Sequence, residues 1–270
     1  MDIAISSWSL RDHVGREFPI TDFGKTVKDR FGVTKVELCQ MHFVTYDFGF
    51  AFPAQETAFL DDIRDKAERA SIDIVNVPVD VGNVSQVNEE ARAIDIEVVK
   101  TWIAAAKRCG SQAVRVNTES VIAREKPVKP PVSLSATKQS FAELCRFAED
   151  LNIQLLLENH GGISANPEKI LEILDEVSSN NFGICADLGN FDDGIRVSGL
   201  KKLAPHTRLL HAKTYDFNSK GEIDEFDFGK CLSIFKDAGY DGSISIEFEG
   251  SGDQWEGVEK TIALVKRYWD

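Results

Sequence analysis

Four short apolar runs in the second half of the chain stop at the same kind of residue. Ile153-Gln-Leu-Leu-Leu-Glu158 is cut off by a carboxylate, then by Asn159, His160 and two glycines. Phe182-Gly-Ile-Cys-Ala-Asp187 ends on Asp187, Arg208-Leu-Leu-His211 on His211, and Ser243-Ile-Ser-Ile-Glu247 on Glu247. Short apolar runs that turn polar at one end suit parallel strands buried on both faces, with their C-terminal ends emerging at a site. Each run therefore offers one metal-competent side chain at an equivalent position.

The first half continues the pattern. Residues 2–8, 35–39, 72–77 (stopped by Pro78) and 112–117 read as strands. Helical spacing or capping marks residues 20–30, 56–70, 88–109, 135–151, a stretch opening at Asn166-Pro167-Glu168, and then 195–203, 225–238 and 254–268. Ala91, Ile94, Val98, Ile103 and Ala106 form the apolar stripe of the long third helix. Eight strands, each followed by a helix and with no linker between, predict an α/β chain folded as a single (β/α)8 barrel over residues 1–270. A doubly wound open sheet is the rival. The absence of G-x-G-x-x-G after the first strand weakens it.

Charge narrows the partners. With 44 acidic against 31 basic residues the net charge is −13, a surface that repels phosphate backbones, so no nucleic-acid partner is expected. No apolar run reaches the roughly 20 residues of a membrane span, and no basic segment precedes an apolar one at the start. Five scattered cysteines without a C-x-x-C pair read as reduced thiols in a cytoplasmic protein. Two loops stand out. Residues 40–55 carry Met41, Phe43, Tyr46, Phe48, Phe50 and Phe52, which suits a lid, a contact between copies of the chain, or rings folded back on their own barrel. Residues 119–132, with three prolines, are a second candidate lid.

Outward strand faces of a barrel pack on helices and must be apolar, so polar strand positions point inward or sit at the rim. Parity then places Glu37, Arg115, Asn117, Lys213 and Glu249 on inward faces. Glu158, Asp187, His211 and Glu247 sit at the C-terminal ends of four contiguous strands. Three carboxylates and an imidazole suit one divalent cation, Mn²⁺ first, with Mg²⁺, Co²⁺ or Zn²⁺ as alternatives. Singly, each has a structural reading: a strand-end carboxylate, a turn-forming aspartate, a core histidine. Their recurrence at equivalent positions favours the metal. Trp8 either stacks on a sugar face or caps the barrel, whereas His13 and His42 read as solvent or lid residues.

Glu158-Asn-His-Gly-Gly, Asp187-Leu-Gly-Asn-Phe, His211-Ala-Lys and Glu247-Phe-Glu-Gly together resemble the sugar phosphate isomerase/epimerase family, the xylose isomerase-like TIM barrels. The intervals of 29, 24 and 36 residues between the four resemble those of the ketose 3-epimerases. The resemblance implies that Glu158, Asp187, His211 and Glu247 hold one divalent metal. It also implies that Glu158 and Glu247 serve as acid and base on a keto-sugar or sugar acid, through a metal-stabilised enediolate. Lys213, His160, Asn190, Arg115, Glu37 and Trp8 would bind substrate. Two positions depart from the ketose 3-epimerases: Asn190 stands where they carry a histidine, and Phe217 where they carry an arginine. A lyase of the same family, acting on a keto-sugar acid or a 3-keto-glycoside, is therefore the alternative, and Lys213 and Arg115 would suit a carboxylate-bearing substrate. An endonuclease IV-like nuclease would need more histidines and a basic surface. A non-catalytic sugar-binding barrel would not need the full ligand set.

Overall fold

Eight parallel strands close into a barrel, paired in chain order with the last returning to the first. They are β1 (Asp2–Ser6), β2 (Lys35–Glu37), β3 (Asp73–Val79), β4 (Ala113–Val116), β5 (Gln154–Glu158), β6 (Phe182–Asp187), β7 (Thr207–Thr214) and β8 (Ser243–Phe248). Outside them lie α1 (Phe23–Phe31), α2 (Thr57–Ala70), α3 (Glu89–Arg108), α4 (Leu134–Asp150), α5 (Pro167–Val177), α6 (Arg196–Leu203), α7 (Phe228–Asp237) and α8 (Gln254–Trp269). The structure is a computed structural model and describes residues 1–43, 52, 56–119 and 130–270. Most of the two candidate loops, 40–55 and 119–132, lies outside the described residues.

The strands are apolar on both faces because both faces are covered. Outward residues such as Val36, Val77, Val114, Leu155, Leu157, Ile184, Leu210 and Ile246 join one core with the helices. Inward, Ala4, Val75, Ala113, Leu156, Cys185 and Leu209 form a separate apolar plug. Truncating a buried leucine such as Leu155 to alanine costs about 2–5 kcal/mol. Towards the C-terminal rim the inward positions turn polar: Ser6, Glu37, Asn76, Arg115, Glu158, Asp187 and His211 are all buried. A plug below and polar groups above define a floor and a site. All five cysteines are free and buried, in keeping with reduced thiols. Among the described residues no helix is long and apolar enough to cross a membrane.

Several element boundaries differ from the sequence reading. The first strand stops at Ser6, whose hydroxyl accepts from the Trp8 amide and starts a 3₁₀ turn at Ser7–Leu10, so Trp8 is not a strand residue. Pro78 does not end β3, which continues to Val79 beside β4. β2 has already finished there; its last link is the Leu38 amide to the Asn76 carbonyl. Pro78 has no N–H to extend that side, so the proline costs the ladder nothing. In α3 the buried stripe is Ile96, Val99, Trp102, Ile103 and Ala106, and Ile94 is 65 % exposed. Trp102 sets that face: Phe43 and Phe52 pack edge-on against it, with ring centroids 6.0 and 5.2 Å away. α7 begins at Phe228 rather than 225, because Asp227 caps it through the Lys230 amide.

One irregularity matters for the site. The register of β2 against β3 slips, with Val36 opposite Ile74 but Glu37 opposite Asn76. The extra residue, Val75, is a bulge that lets both Val75 and Asn76 face inward. Asn76 thereby reaches Glu37.

Candidate metal centre and active site

Glu158, Asp187, His211 and Glu247 meet at the C-terminal mouth of β5, β6, β7 and β8. One ligand atom from each lies within 4.8 Å of all the others. His211 Nδ1 is 3.2 Å from Glu158 Oε1, 3.7 Å from Glu247 Oε2 and 3.8 Å from Asp187 Oδ2. Oxygen and imidazole ligands sit about 2.0–2.6 Å from a divalent ion, so two ligands of one ion are at most about 4–5 Å apart. The four atoms fit inside that limit.

Local sequence aims each group. The turn after β6 directs the Gly189 and Asn190 amides at Asp187 Oδ1, at 2.7 and 2.9 Å. Oδ2 is left to face the site. Asn159, next after Glu158, ties β5 to β6: its amide nitrogen donates to the Asp187 carbonyl and its oxygen accepts from the Asp187 amide. The chain then turns at Gly161 and Gly162. Gly162 has φ +55°, and a Cβ there would collide with the Glu119 carboxylate that accepts from the Ile163 amide.

Electrostatics supplies the test of fit. Asp187 Oδ2 and Glu247 Oε2 are buried and accept no hydrogen bond, although the Lys213 ammonium is 3.5 and 3.2 Å away. Burial, opposed by Lys213 and reinforced by Glu247 and Glu158, pushes the Asp187 carboxyl well above the usual range. Burial also acts against ionised Glu158, but Arg115 and then His211 hold that carboxyl well below the usual range. Burial would strip the proton from His211, yet Glu37, Glu247 and Glu158 outweigh it and raise the imidazole. Crowded acids with unpartnered oxygens beside an imidazole are the donor set of a hard-to-borderline divalent cation, which would replace these protons.

The remaining predicted residues divide into two groups. Lys213 donates to Asn190 Oδ1 at 3.0 Å and lies 3.3 Å from Glu249 Oε1. Asn190 Nδ2 is 3.3 Å from Glu158 Oε1, and His160 stands two residues beyond Glu158 on the turn that leaves β5. Trp8 donates its indole N–H to Glu249 Oε1 at 2.8 Å, so it sits on the β8 side of the mouth. Trp8, His160, Asn190 and Glu249 are half-buried at the mouth, and Lys213 is buried among them. Two do not stand free for substrate. Arg115 Nε is 2.9 Å from Glu158 Oε2 and its Nη1 is 2.5 Å from Asp80 Oδ1, so the guanidinium is already between two acids. Glu37 is fully buried behind His211, 2.9 Å from Nε2, rather than at the mouth.

Sequence reasoning missed Asp80, which also accepts from Asn117 at 2.9 Å, and Asn76, which donates to Glu37 at 2.8 Å. Asp80 follows β3 at the same rim, and that position was its only signal. Asn76 had none, since its direction depends on the bulge.

The family described as "Xylose isomerase-like TIM barrel" matches residues 29–268. The chain belongs to that family. A protein of Methanocaldococcus jannaschii, "Uncharacterized protein MJ1311", is 28 % identical over 224 residues, covering 78 % of this chain and 73 % of that one. The solved structure of L-ribulose 3-epimerase superposes with a TM-score of 0.75 at 14 % identity, covering 100 % of this chain and 95 % of the other. A xylose isomerase-like TIM barrel protein from Mycobacterium smegmatis, in complex with magnesium, gives 0.68 at 15 %, covering 99 % and 96 %. At such identities these structures share the fold.

Proposed function

We propose that this xylose isomerase-like barrel is a divalent-metal-dependent isomerase or epimerase of a keto-sugar or sugar acid. One observation carries the reading: the converging ligand atoms of Glu158, Asp187, His211 and Glu247, two of them buried oxygens without hydrogen bonds. The resemblance to sugar epimerases supports the substrate class. Mn²⁺ is the first choice of metal, with Mg²⁺, Co²⁺ and Zn²⁺ as alternatives.

When bound, the cation supplies Lewis acidity that makes the carbon next to a substrate carbonyl more acidic. The protein does the rest. Glu158 and Glu247 approach the centre from β5 and β8, on opposite sides of His211 in the barrel order. One removes the proton from that carbon and the other returns one, each within reach of a substrate held between them. Lys213, 3.2 Å from Glu247, adds positive charge where the developing oxyanion would sit. Trp8 offers an aromatic surface, and Glu249, His160 and Asn190 offer groups for hydroxyls. The apolar plug beneath closes the floor to water. The lyase alternative rested on the departures at Asn190 and Phe217, with Lys213 and Arg115 as cations for a substrate carboxylate. Arg115 and Lys213 both lie among the protein's own acids, which favours the isomerase reading. Five buried, unpaired thiols support a cytoplasmic setting.

The test is metal analysis of the purified protein, followed by deuterium uptake from D₂O into a panel of keto-sugars and keto-sugar acids. Exchange without loss of carbon or water is expected. Glu158→Gln should lower turnover by about 10²–10⁴-fold, with circular dichroism showing the fold kept at assay temperature despite the lost ion pair with Arg115. Full activity in that variant rejects its role, and release of CO₂ or water moves the protein to the lyases.

A further inference from the structure

We infer that Glu37 is a positioning residue for the metal centre: it holds the His211 ring so that Nδ1, not Nε2, faces the cation. The inference rests on the metal reading above.

Glu37 comes from β2 and His211 from β7, three strands apart around the barrel. Both side chains are fully buried. Glu37 Oε2 lies 2.9 Å from His211 Nε2, while the other ring nitrogen, Nδ1, faces Glu158, Asp187 and Glu247. A carboxylate can only accept, so Nε2 carries a hydrogen towards Glu37, and Nδ1, 3.2 Å from Glu158 Oε1, is the nitrogen whose proton a cation would displace. The torsion that turns an imidazole about its Cβ–Cγ bond is broad and roughly two-fold, so the ring has no strong intrinsic choice of face. The contact to Glu37 supplies that choice, and it makes Nδ1 a better donor by polarising the ring.

Glu37 is itself held. The Asn76 amide donates to the same Oε2 at 2.8 Å, and Asn76 faces inward because of the bulge at Val75. The slip in register therefore has a consequence at the metal: without it, Asn76 would turn outward and the Glu37 carboxylate would lose its anchor. Depth excludes a role for Glu37 at the substrate, because His211 lies between it and the other ligands.

The test uses Co²⁺ as probe, titrated against a competing chelator, on the full-length chain, Glu37→Ala and Glu37→Gln. The expected result is about 10–100-fold weaker Co²⁺ binding in Glu37→Ala. Glu37→Gln should recover part of the loss, since its amide oxygen can accept from Nε2–H. A merely structural role would lower the melting temperature without this graded order. Binding in Glu37→Ala within two-fold of the parent overturns the inference, as does equal weakness in both variants. Nitrogen NMR of the parent loaded with Zn²⁺ needs no variant. The His211 proton should reside on Nε2 and the metal on Nδ1; the reverse tautomer overturns the inference. If the parent binds no Co²⁺ or Zn²⁺, the metal reading falls and takes this one with it. If the parent binds and the variants bind equally well, only Glu37 loses its role.

Discussion

Replacing Asp187 by asparagine should stabilise the metal-free protein and abolish its response to metal. Ligand atoms of Glu158, Asp187 and Glu247 lie within 4.8 Å of one another. Two unit negative charges at that separation repel by about 3.5 kcal/mol at an effective dielectric constant of about 20. In the metal-free protein burial and the neighbouring acids, opposed by Lys213, push the Asp187 carboxyl well up. A raised carboxyl contributes stability that is complete below the unfolded value of 3.8 and is lost as pH rises through the folded value. Near neutrality the Coulomb repulsion bounds the cost of Asp187 at about 3 kcal/mol, which Asp187→Asn removes. The amide oxygen can keep the Gly189 and Asn190 bonds. For 270 residues the unfolding entropy is about 570 cal/mol/K, so the metal-free melting temperature should rise by up to about 5 °C. In the parent, metal at about 100 times its Kd should add about 2.7 kcal/mol, again about 5 °C, and the variant should show none of it. Paired thermal melts with chelator and with Mn²⁺ read both numbers. A variant that melts lower without metal, yet still responds to metal, refutes the reasoning.

Arg115→Met removes the positive charge between Asp80 and Glu158 from a site only 4 % exposed. It should cost about 3–5 kcal/mol, a drop in melting temperature of about 5–9 °C; a change under 1 °C would refute the pairing. Burial lowers the His42 imidazole from 6.5 to about 4. Stability that is intact above 6.5 should therefore be lost as pH falls to 4, by about 3 kcal/mol. In His42→Gln, urea denaturation should show a flatter acid limb over that range, and an unchanged limb removes His42 from the account. Trp8→Phe deletes the indole bond to Glu249. On a substrate found by the exchange screen it should raise KM about 3–10-fold with kcat little changed; a kcat loss with constant KM would place Trp8 in the chemistry instead.

The barrel was legible because its signals are local. Alternating strand and helix, caps such as Asn166 before Pro167, and polar residues at apolar strand ends all act over a few positions. The convergence of Glu158, Asp187, His211 and Glu247 was legible for the same reason: period-two alternation and a shared strand end bring them together once the strands are in order. The errors arose where one contact overrode local preference. Ile94 reads as core by spacing, but Trp102 and the rings upon it set the buried face of α3. Trp8 reads as strand, but the Ser6 hydroxyl ends β1 before it.

Sequence alone determined the architecture and the rim at which Glu158, Asp187, His211 and Glu247 converge. Tertiary structure alone decided what stands behind them. Glu37 reaches His211 across 174 positions of chain, Asn76 reaches Glu37 through a one-residue slip in register, and Arg115 spends its charge on Asp80 and Glu158. Such pairings depend on ring orientation, rotamer and register. These are set by packing among strands distant in sequence, and residue order carries no local trace of them.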